Sequence, residues 1–212
     1  MYPVNLKMSG VSCLVIGGGH IGLRKIGKLL AEEAEVTVLA PEVSEEIRQL
    51  IGQGKVRWDR RNYQPGDCRG FRFVVTATGL RHISEAVKQE ADREGFLYNA
   101  ADFPDLGNCF LPASFRKGKV EVAVSTGGQS PAVARFLKGR LASAIPDDFS
   151  DWLDRVSRIR ADLKEEIADS RTREKFWETV FNEDILSLVY TGKLDEAEEY
   201  IRHAVGSLRA QL

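Results

Sequence analysis

An α/β fold with an all-parallel sheet, followed by a small α+β segment and a helical tail, is what this sequence predicts. Three observations carry the expectation. Short β-prone runs alternate with helix-period segments through the first hundred residues, and a glycine-rich turn joins the first run to the first helix. After residue 148 the strand signals stop and amphipathic helix takes over.

The elements follow in chain order. Ser12-Cys13-Leu14-Val15-Ile16 is a compact apolar run ending at Gly17, the pattern of a strand buried on both faces. Ile21 to Glu33 places Ile21, Ile26, Leu29 and Leu30 on one helical stripe. Val36-Thr37-Val38-Leu39 is the next strand, closed by Pro41; a helix follows near Ser44 to Ile51, then a strand at Val56-Arg57-Trp58. Phe71 to Thr76 is strongly β-prone, and Ile83 to Arg93 is helical with Ile83, Ala86, Val87 and Ala91 on one side. Phe96-Leu97-Tyr98-Asn99 is a short strand. The pattern changes past Pro112. Val120 to Val124 is a strand, Gly127 to Gln129 a turn, and Ser130 caps a helix with Pro131 at its first position. Val133, Phe136, Leu137 and Leu141 line one face of that helix, with Arg135, Lys138 and Arg140 on its polar side. Pro146-Asp147-Asp148 breaks the segment. Amphipathic helix then runs from Phe149, with Trp152, Val156 and Ile159 early and Phe176, Trp177, Val180 and Phe181 later. No internal repeat or low-complexity tract is evident. These changes divide the chain at 1–112, 113–146 and 147–212.

Composition narrows the function classes. With 43% hydrophobic and 29% charged residues, the chain has the make-up of a soluble globular protein. Thirty basic side chains against 31 acidic ones give a net charge of −1, so no global basic field argues for nucleic acid. An anionic ligand must be held by a local cluster. No apolar run approaches the ~20 residues of a membrane span, and the N-terminus lacks a signal-peptide stretch. Cys13, Cys68 and Cys109 are widely spaced and show no zinc-binding pattern, which fits a reducing, cytoplasmic compartment. Cys13 and Cys109 read as packing thiols.

Two glycine-rich turns carry the chemistry. Gly17-Gly18-Gly19-His20-Ile21-Gly22 satisfies GxGxxG between a buried strand and a helix. Glycine is needed there for a tight turn and for close backbone approach to a pyrophosphate, which the helix N-terminus attracts. This marks the fold as Rossmann-type. A carboxylate is expected roughly twenty residues on, to bind the adenosine ribose. Glu42, just past Pro41, lies at that distance, and no arginine occupies the turn for a 2′-phosphate, so NAD is favoured over NADP. Glu42 is equally readable as an exposed residue opening the next helix. Asn99-Ala100-Ala101-Asp102 lies at a strand's C-terminal end, where open α/β sheets bind ligands. Asp102 there is a candidate general base or metal ligand, and also a good turn residue ahead of Phe103-Pro104-Asp105. Ser125-Thr126-Gly127-Gly128-Gln129-Ser130-Pro131 opens a second helix and offers hydroxyls and amides to carboxylates, with Arg135 close in sequence. Capping alone also explains Ser130. The three histidines form no site by spacing: His20 lies in the glycine turn, whereas His82 and His203 read as solvated. Arg24-Lys25, Arg60-Arg61 and Arg116-Lys117 read as solvent-facing charge.

Taken together, these segments resemble the precorrin-2 dehydrogenase and sirohydrochlorin ferrochelatase family, the N-terminal module of sirohaem synthases. The matching residues are Tyr2-Pro3-Val4, Cys13 to Gly19 with Arg24-Lys25, Val36 to Pro41 and Val75-Thr76-Ala77-Thr78. Asn99 to Asp102, Phe110 to Ala113, Val124 to Pro131 and Lys175-Phe176-Trp177-Glu178 complete the set. The resemblance implies oxidation of precorrin-2 to sirohydrochlorin with NAD⁺ as hydride acceptor. It implies an acid/base role for Asp102 and NAD contacts at the glycine turn, His20-Ile21, Pro41-Glu42 and Thr78. It places Ser125, Thr126, Gly127, Gly128 and Arg135 beside the tetrapyrrole. It further implies a homodimer, with 113–146 as its dimerisation region and 147–212 as a helical domain. Gly79-Leu80-Arg81 and Phe103 depart from the family's usual residues. Some relatives also insert Fe²⁺ into sirohydrochlorin, with the same aspartate as the metal's candidate contact. An NAD-sensing module without turnover is the reading from another class, against which Asp102 and the second glycine turn argue.

Overall fold

The computed structural model describes residues 1–210; Gln211 and Leu212, the end of the segment 147–212, lie outside the described residues. The chain forms two compact units, Met1–Leu111 and a second from Pro112 onward.

The first unit is a five-stranded sheet in the order β3-β2-β1-β4-β5, with every neighbouring pair parallel. The strands are β1 Ser12–Ile16, β2 Glu35–Leu39, β3 Val56–Asp59, β4 Phe73–Thr76 and β5 Leu97–Ala100. Helices α1 His20–Ala31, α2 Glu45–Gly52 and α3 Arg81–Glu94 connect them. Successive side chains of a strand point to opposite faces, which divides the core in two. Cys13 and Val15 pack with Ile26, Leu29 and Ile47, the contribution of α1 and α2. Leu14 and Ile16 pack on the other face with Val74, Val87, Ala91 and Tyr98, the contribution of α3. β1 is therefore apolar throughout because both of its faces are covered. Burial raises the Cys13 thiol's pKa to about 11, as suits a packing thiol; Cys109 is only half-buried.

Polar groups inside this unit are paired. The Tyr98 hydroxyl lies 2.8 Å from Thr76 Oγ1 and donates to the Ser84 carbonyl at 3.1 Å, which ties β5, β4 and α3 together. Glu90, 2% exposed, accepts from the Tyr63 hydroxyl and from the amides of Gly66 and Cys68, so it anchors the long β3–β4 connection. A short 3₁₀ turn at Pro104–Leu106 follows β5.

The second unit opens with a hairpin of β6 Ala113–Lys117 and β7 Val120–Val124. The alternation of β7 is legible in the sequence, whereas that of β6, with Phe115 as its single large apolar residue, is too faint. The hairpin turn rests on the next element but one: a Cβ at Gly118 would lie 2.1 Å from Ser150 Oγ, and the Lys119 amide donates to that oxygen at 3.1 Å. Helix α4 runs Pro131–Ala144, followed by α5 Phe149–Glu166, α6 Ser170–Val180, α7 Glu183–Tyr190 and α8 Leu194–Arg209. Trp152, Val156, Ile159 and Leu163 of α5 bury against Ile185 of α7 and Leu194, Ala197, Ile201 and Val205 of α8. The 3–4 residue spacing of those positions gives each helix one apolar stripe. Among the described residues no helix is long and apolar enough to cross a membrane.

Candidate active site

Strand order reverses at β1, whose neighbours are β2 on one side and β4 on the other. Open α/β sheets take ligands at the C-terminal end of such a reversal. Gly17 stands there with φ +121°, and a Cβ on it would lie 2.2 Å from the Ala77 carbonyl oxygen just past β4. A Cβ on Gly18 would meet the Glu42 carbonyl oxygen at 2.2 Å, and one on Gly22 the Gly17 carbonyl oxygen at 2.3 Å. These three positions lack side chains because the chain packs against itself.

Gly19 is different. It is the N-cap residue of α1, it is exposed, and a Cβ there would have nothing within 4 Å. The first amides of a helix have no intrahelical acceptor, so this open ground faces donors and the positive end of α1. The backbone at Gly19, His20 and Ile21 thus fits a dinucleotide pyrophosphate. His20 and Ile21 are both exposed. The core stripe expected to include Ile21 runs instead through Gly22, Ile26 and Leu29.

The end of β2 joins the same wall. The Ser44 amide donates to the Gly18 carbonyl at 2.8 Å, and Ser44 caps α2 by accepting from the Ile47 amide. Pro41 and Glu42 are exposed beside it. Sequence spacing shows no arginine at this turn, yet the fold brings two near it. Trp58 Nε1 donates to the Ala40 carbonyl at 2.9 Å, and the guanidinium groups of Arg48 and Arg60 lie 5.8 and 5.4 Å from the Trp58 ring centroid.

Asp102 is half-buried just past β5, and its Oδ2 accepts from the Gly79 amide at 2.8 Å. Gly79 (φ +69°) follows Thr78, whose Oγ1 accepts from the Leu80 amide at 3.1 Å. The turns after β4 and β5 are therefore one structure, a link that spans 23 residues of sequence. The two departures from the family pattern meet here. Arg81 stacks over the Phe103 ring at 5.4 Å and donates to Asp105 at 2.8 Å, so each of the unusual residues accommodates the other.

Lys25 is the functional candidate that sequence reasoning missed. Its Nζ donates to Asn99 Oδ1 at 2.8 Å, and Asn99 Nδ2 donates to the Cys109 carbonyl at 2.8 Å. Burial, with Arg24 and Lys28 adding repulsion, lowers the Lys25 pKa to about 8. Helical spacing held the signal: Lys25 is three residues from Gly22 and four from Leu29, both on the buried face. The other basic pairs are also mostly engaged, Arg61 with Asp67 at 2.7 and 2.9 Å and Lys117 with Asp147 at 2.8 Å.

In the second unit, the hydroxyls of the second glycine turn serve the turn itself. Thr126 Oγ1 accepts from the Ser130 amide and donates to its carbonyl, both at 3.1 Å. Ser125 Oγ accepts from the Gly127 amide at 3.3 Å, and Ser130 caps α4 through the Val133 amide at 3.2 Å. Gly127 and Gly128 both have positive φ, and Arg135 is exposed one turn into α4.

Comparison with known proteins follows this layout. A family model described as "Putative NAD(P)-binding" matches residues 4–113, and one described as "Sirohaem synthase dimerisation region" matches residues 149–205. The sirohaem synthase of Methylococcus capsulatus is 35% identical over 213 residues, which is 99% of this chain and 44% of that protein. That of Nitrosococcus oceani is 33% identical over 203 residues, covering 96% and 43%. The solved structure of SirC, precorrin-2 dehydrogenase, is similar with a TM-score of 0.75 and 28% identity, over 97% of this chain and all of that one. The chain spans less than half the length of the sirohaem synthases it matches.

Two predictions follow from this geometry. Gly19→Ala should leave folding stability within about 1 kcal/mol of the parent, because its Cβ points into open space, while weakening NAD⁺ binding in a fluorescence titration. Gly17→Ala should instead lower stability by roughly 2–6 kcal/mol, from strain plus overlap with the Ala77 carbonyl. Equal effects in denaturant melts would contradict the division of roles. The second concerns Lys25, whose pKa is lower folded than unfolded. Between about pH 8 and 10.5 the unfolded chain holds more protons at this residue, so its contribution to stability rises with pH. Relative to Lys25→Met, the parent should gain thermal stability across that window; parallel melting-temperature curves would show that no such titration occurs.

Proposed function

The chain belongs to the family of precorrin-2 dehydrogenases and sirohaem synthase N-terminal modules, and we propose that it oxidises precorrin-2 to sirohydrochlorin with NAD⁺. The observation that carries this reading is the Asp102 carboxylate, fixed by the Gly79 amide at the ligand-binding end of the same sheet that presents the Gly19 cradle. In the balanced reaction the macrocycle loses a hydride and a proton, gaining a conjugated double bond, and the products are sirohydrochlorin, NADH and H⁺. Bound NAD⁺ supplies the hydride acceptor. The amides at Gly19, His20 and Ile21 bind its pyrophosphate, Glu42 its adenosine ribose, and Thr78 lies on the nicotinamide side. NAD is preferred over NADP because a carboxylate at the ribose accepts hydroxyl hydrogen bonds and repels a 2′-phosphate. Asp102 takes the proton. The Gly79 amide engages Oδ2 and so fixes the rotation of the carboxylate, which suits a base that must meet one C–H bond. Asp102 and the Thr78-Gly79 turn also support an enzyme over a cofactor sensor, since sensing requires no oriented carboxylate.

The second unit supports a homodimer. Phe136 is 65% exposed, and Val133, Leu137 and Leu141 are exposed with it on α4, a contiguous apolar stripe that water disfavours. A second copy of the chain is the occupant, a reading supported by the dimerisation-region model that matches residues 149–205, directly after this helix. Within the pair, the turn from Ser125 to Gly128 and Arg135 meet the carboxylates of the tetrapyrrole.

An anaerobic mixture of the protein, precorrin-2 and NAD⁺ should develop the sirohydrochlorin spectrum together with NADH absorbance; NAD⁺ binding without either change would favour the sensor. Fe²⁺ added to the product reports metal insertion separately. Asp102→Asn, which retains an acceptor for Gly79, should lower turnover by roughly 10²–10⁴-fold with NAD⁺ affinity unchanged. Full activity would remove Asp102 from the role. Phe136→Glu should shift the protein from dimer to monomer in analytical ultracentrifugation, and an undisturbed dimer would place the contact elsewhere.

A further inference from the structure

Lys25 is an ammonium group held where a neutral side chain of similar length would pack at lower cost, since withdrawing a charge from water is expensive. Arg24 and Lys28 of its own helix add like charge, while Asp102 and Cys109 face it from the segments beyond β5. Among the described residues, its ammonium donates its hydrogen bond to none of these but to Asn99, 74 residues away. Asn99 is 7% exposed, and its amide is used at both ends, accepting from Lys25 and donating to the Cys109 carbonyl. The ammonium therefore fixes which way the amide points, because only the oxygen can accept its hydrogen bond.

The consequence reaches the reacting group. Asn99 and Asp102 are three residues apart on the same strand end. On the β4 side this end is held by the Ala101 amide donating to the Thr76 carbonyl at 2.9 Å and by the Gly79 amide on Asp102. On the α1 side it is held by Lys25. We propose that Lys25 is a positioning residue for proton removal, acting through Asn99 to hold the β5 end from which the Asp102 carboxylate meets the substrate. The same helix begins at the Gly19 cradle, so one rigid element sets the places of both the cofactor's phosphates and the base. This inference rests on the dehydrogenase reading given above.

The test compares steady-state oxidation of precorrin-2 by the full chain with that of Lys25→Met, Lys25→Arg, Asn99→Ala and the Lys25→Met/Asn99→Ala double variant. Lys25→Met should lower kcat roughly 10–100-fold, the scale of a displacement near 1 Å, with the KM for NAD⁺ nearly unchanged. Lys25→Arg, which can still donate to Asn99 Oδ1, should recover most of the loss. On the Asn99→Ala background the lysine change should add little, because the two residues act as a unit. Full kcat in Lys25→Met, or effects that multiply in the double variant, would overturn the proposal. Should Lys25→Met fail to fold by circular dichroism, Asn99→Ala decides alone: reduced kcat with intact NAD⁺ affinity supports the proposal, and full kcat overturns it. A wild-type protein that never turns over precorrin-2 overturns the dehydrogenase reading and this inference together, whereas an active wild type with an equally active variant overturns only the role of Lys25.

Discussion

The approach of Gly17 to the Ala77 carbonyl is the contact on which the rest of the first unit depends. No side chain fits between them, so the turn after β1 and the turn after β4 are locked edge to edge where the strand order reverses. Every functional placement descends from that lock. Gly22 lies against Gly17 and sets the angle at which α1 leaves the sheet; α1 then presents Gly19 at its start and carries Lys25 nearly two turns further on. Two residues beyond Ala77, the Gly79 amide reaches Asp102. The Gly19 turn and the Asp102 carboxylate, proposed as cofactor cradle and base, come from distant parts of the chain, yet they share one rigid reference because a pair of backbones cannot move apart without opening the sheet.

That arrangement also explains how a chain of near-zero net charge can handle an anionic cofactor. Backbone amides and a helix terminus supply positive potential without any basic residue, and they do so in fixed directions. Side-chain cations are spent on other tasks. Arg81 braces Phe103 and Asp105, Arg61 braces Asp67, and Lys25 braces Asn99. The exposed pairs add little to stability individually; their value lies in fixing turns. Lys25 stands apart, since its burial makes the interaction costly enough to require a reason.

Features encoded by neighbouring residues were legible in the sequence. The run Ser12 to Ile16, the glycine turn and the cap at Ser130-Pro131 need only a few adjacent positions, and the structure forms each of them. Asp102 was visible as a strand-end carboxylate, but its bond to Gly79 was not, because that contact depends on which strands become neighbours. The same holds for Lys25 and Asn99, and for Trp58, which carries Arg48 and Arg60 to the end of β2. Composition misled at Ile21, an apolar residue left exposed at the start of α1 while the side-chain-free Gly22 takes the buried position. Strand β6 was missed because Gly118 and its seat on Ser150, rather than hydrophobic alternation, define the hairpin.

Helix α4 extends the same reasoning to the second unit. Its apolar positions have the spacing of an ordinary buried stripe, yet of its residues only Ala134 is buried, whereas α5 and α8 bury theirs fully against each other. The periodicity therefore records a burial that one copy of the chain does not provide. A stripe of Val133, Phe136, Leu137 and Leu141 on a helix whose other face carries Arg135 and Lys138 is suited to an isologous contact, where each copy supplies the apolar face that the other lacks. Because α4 starts at the turn from Ser125 to Ser130, such a contact would fix that turn as well. Subunit association and the placement of the residues proposed to meet the substrate would then be one event rather than two.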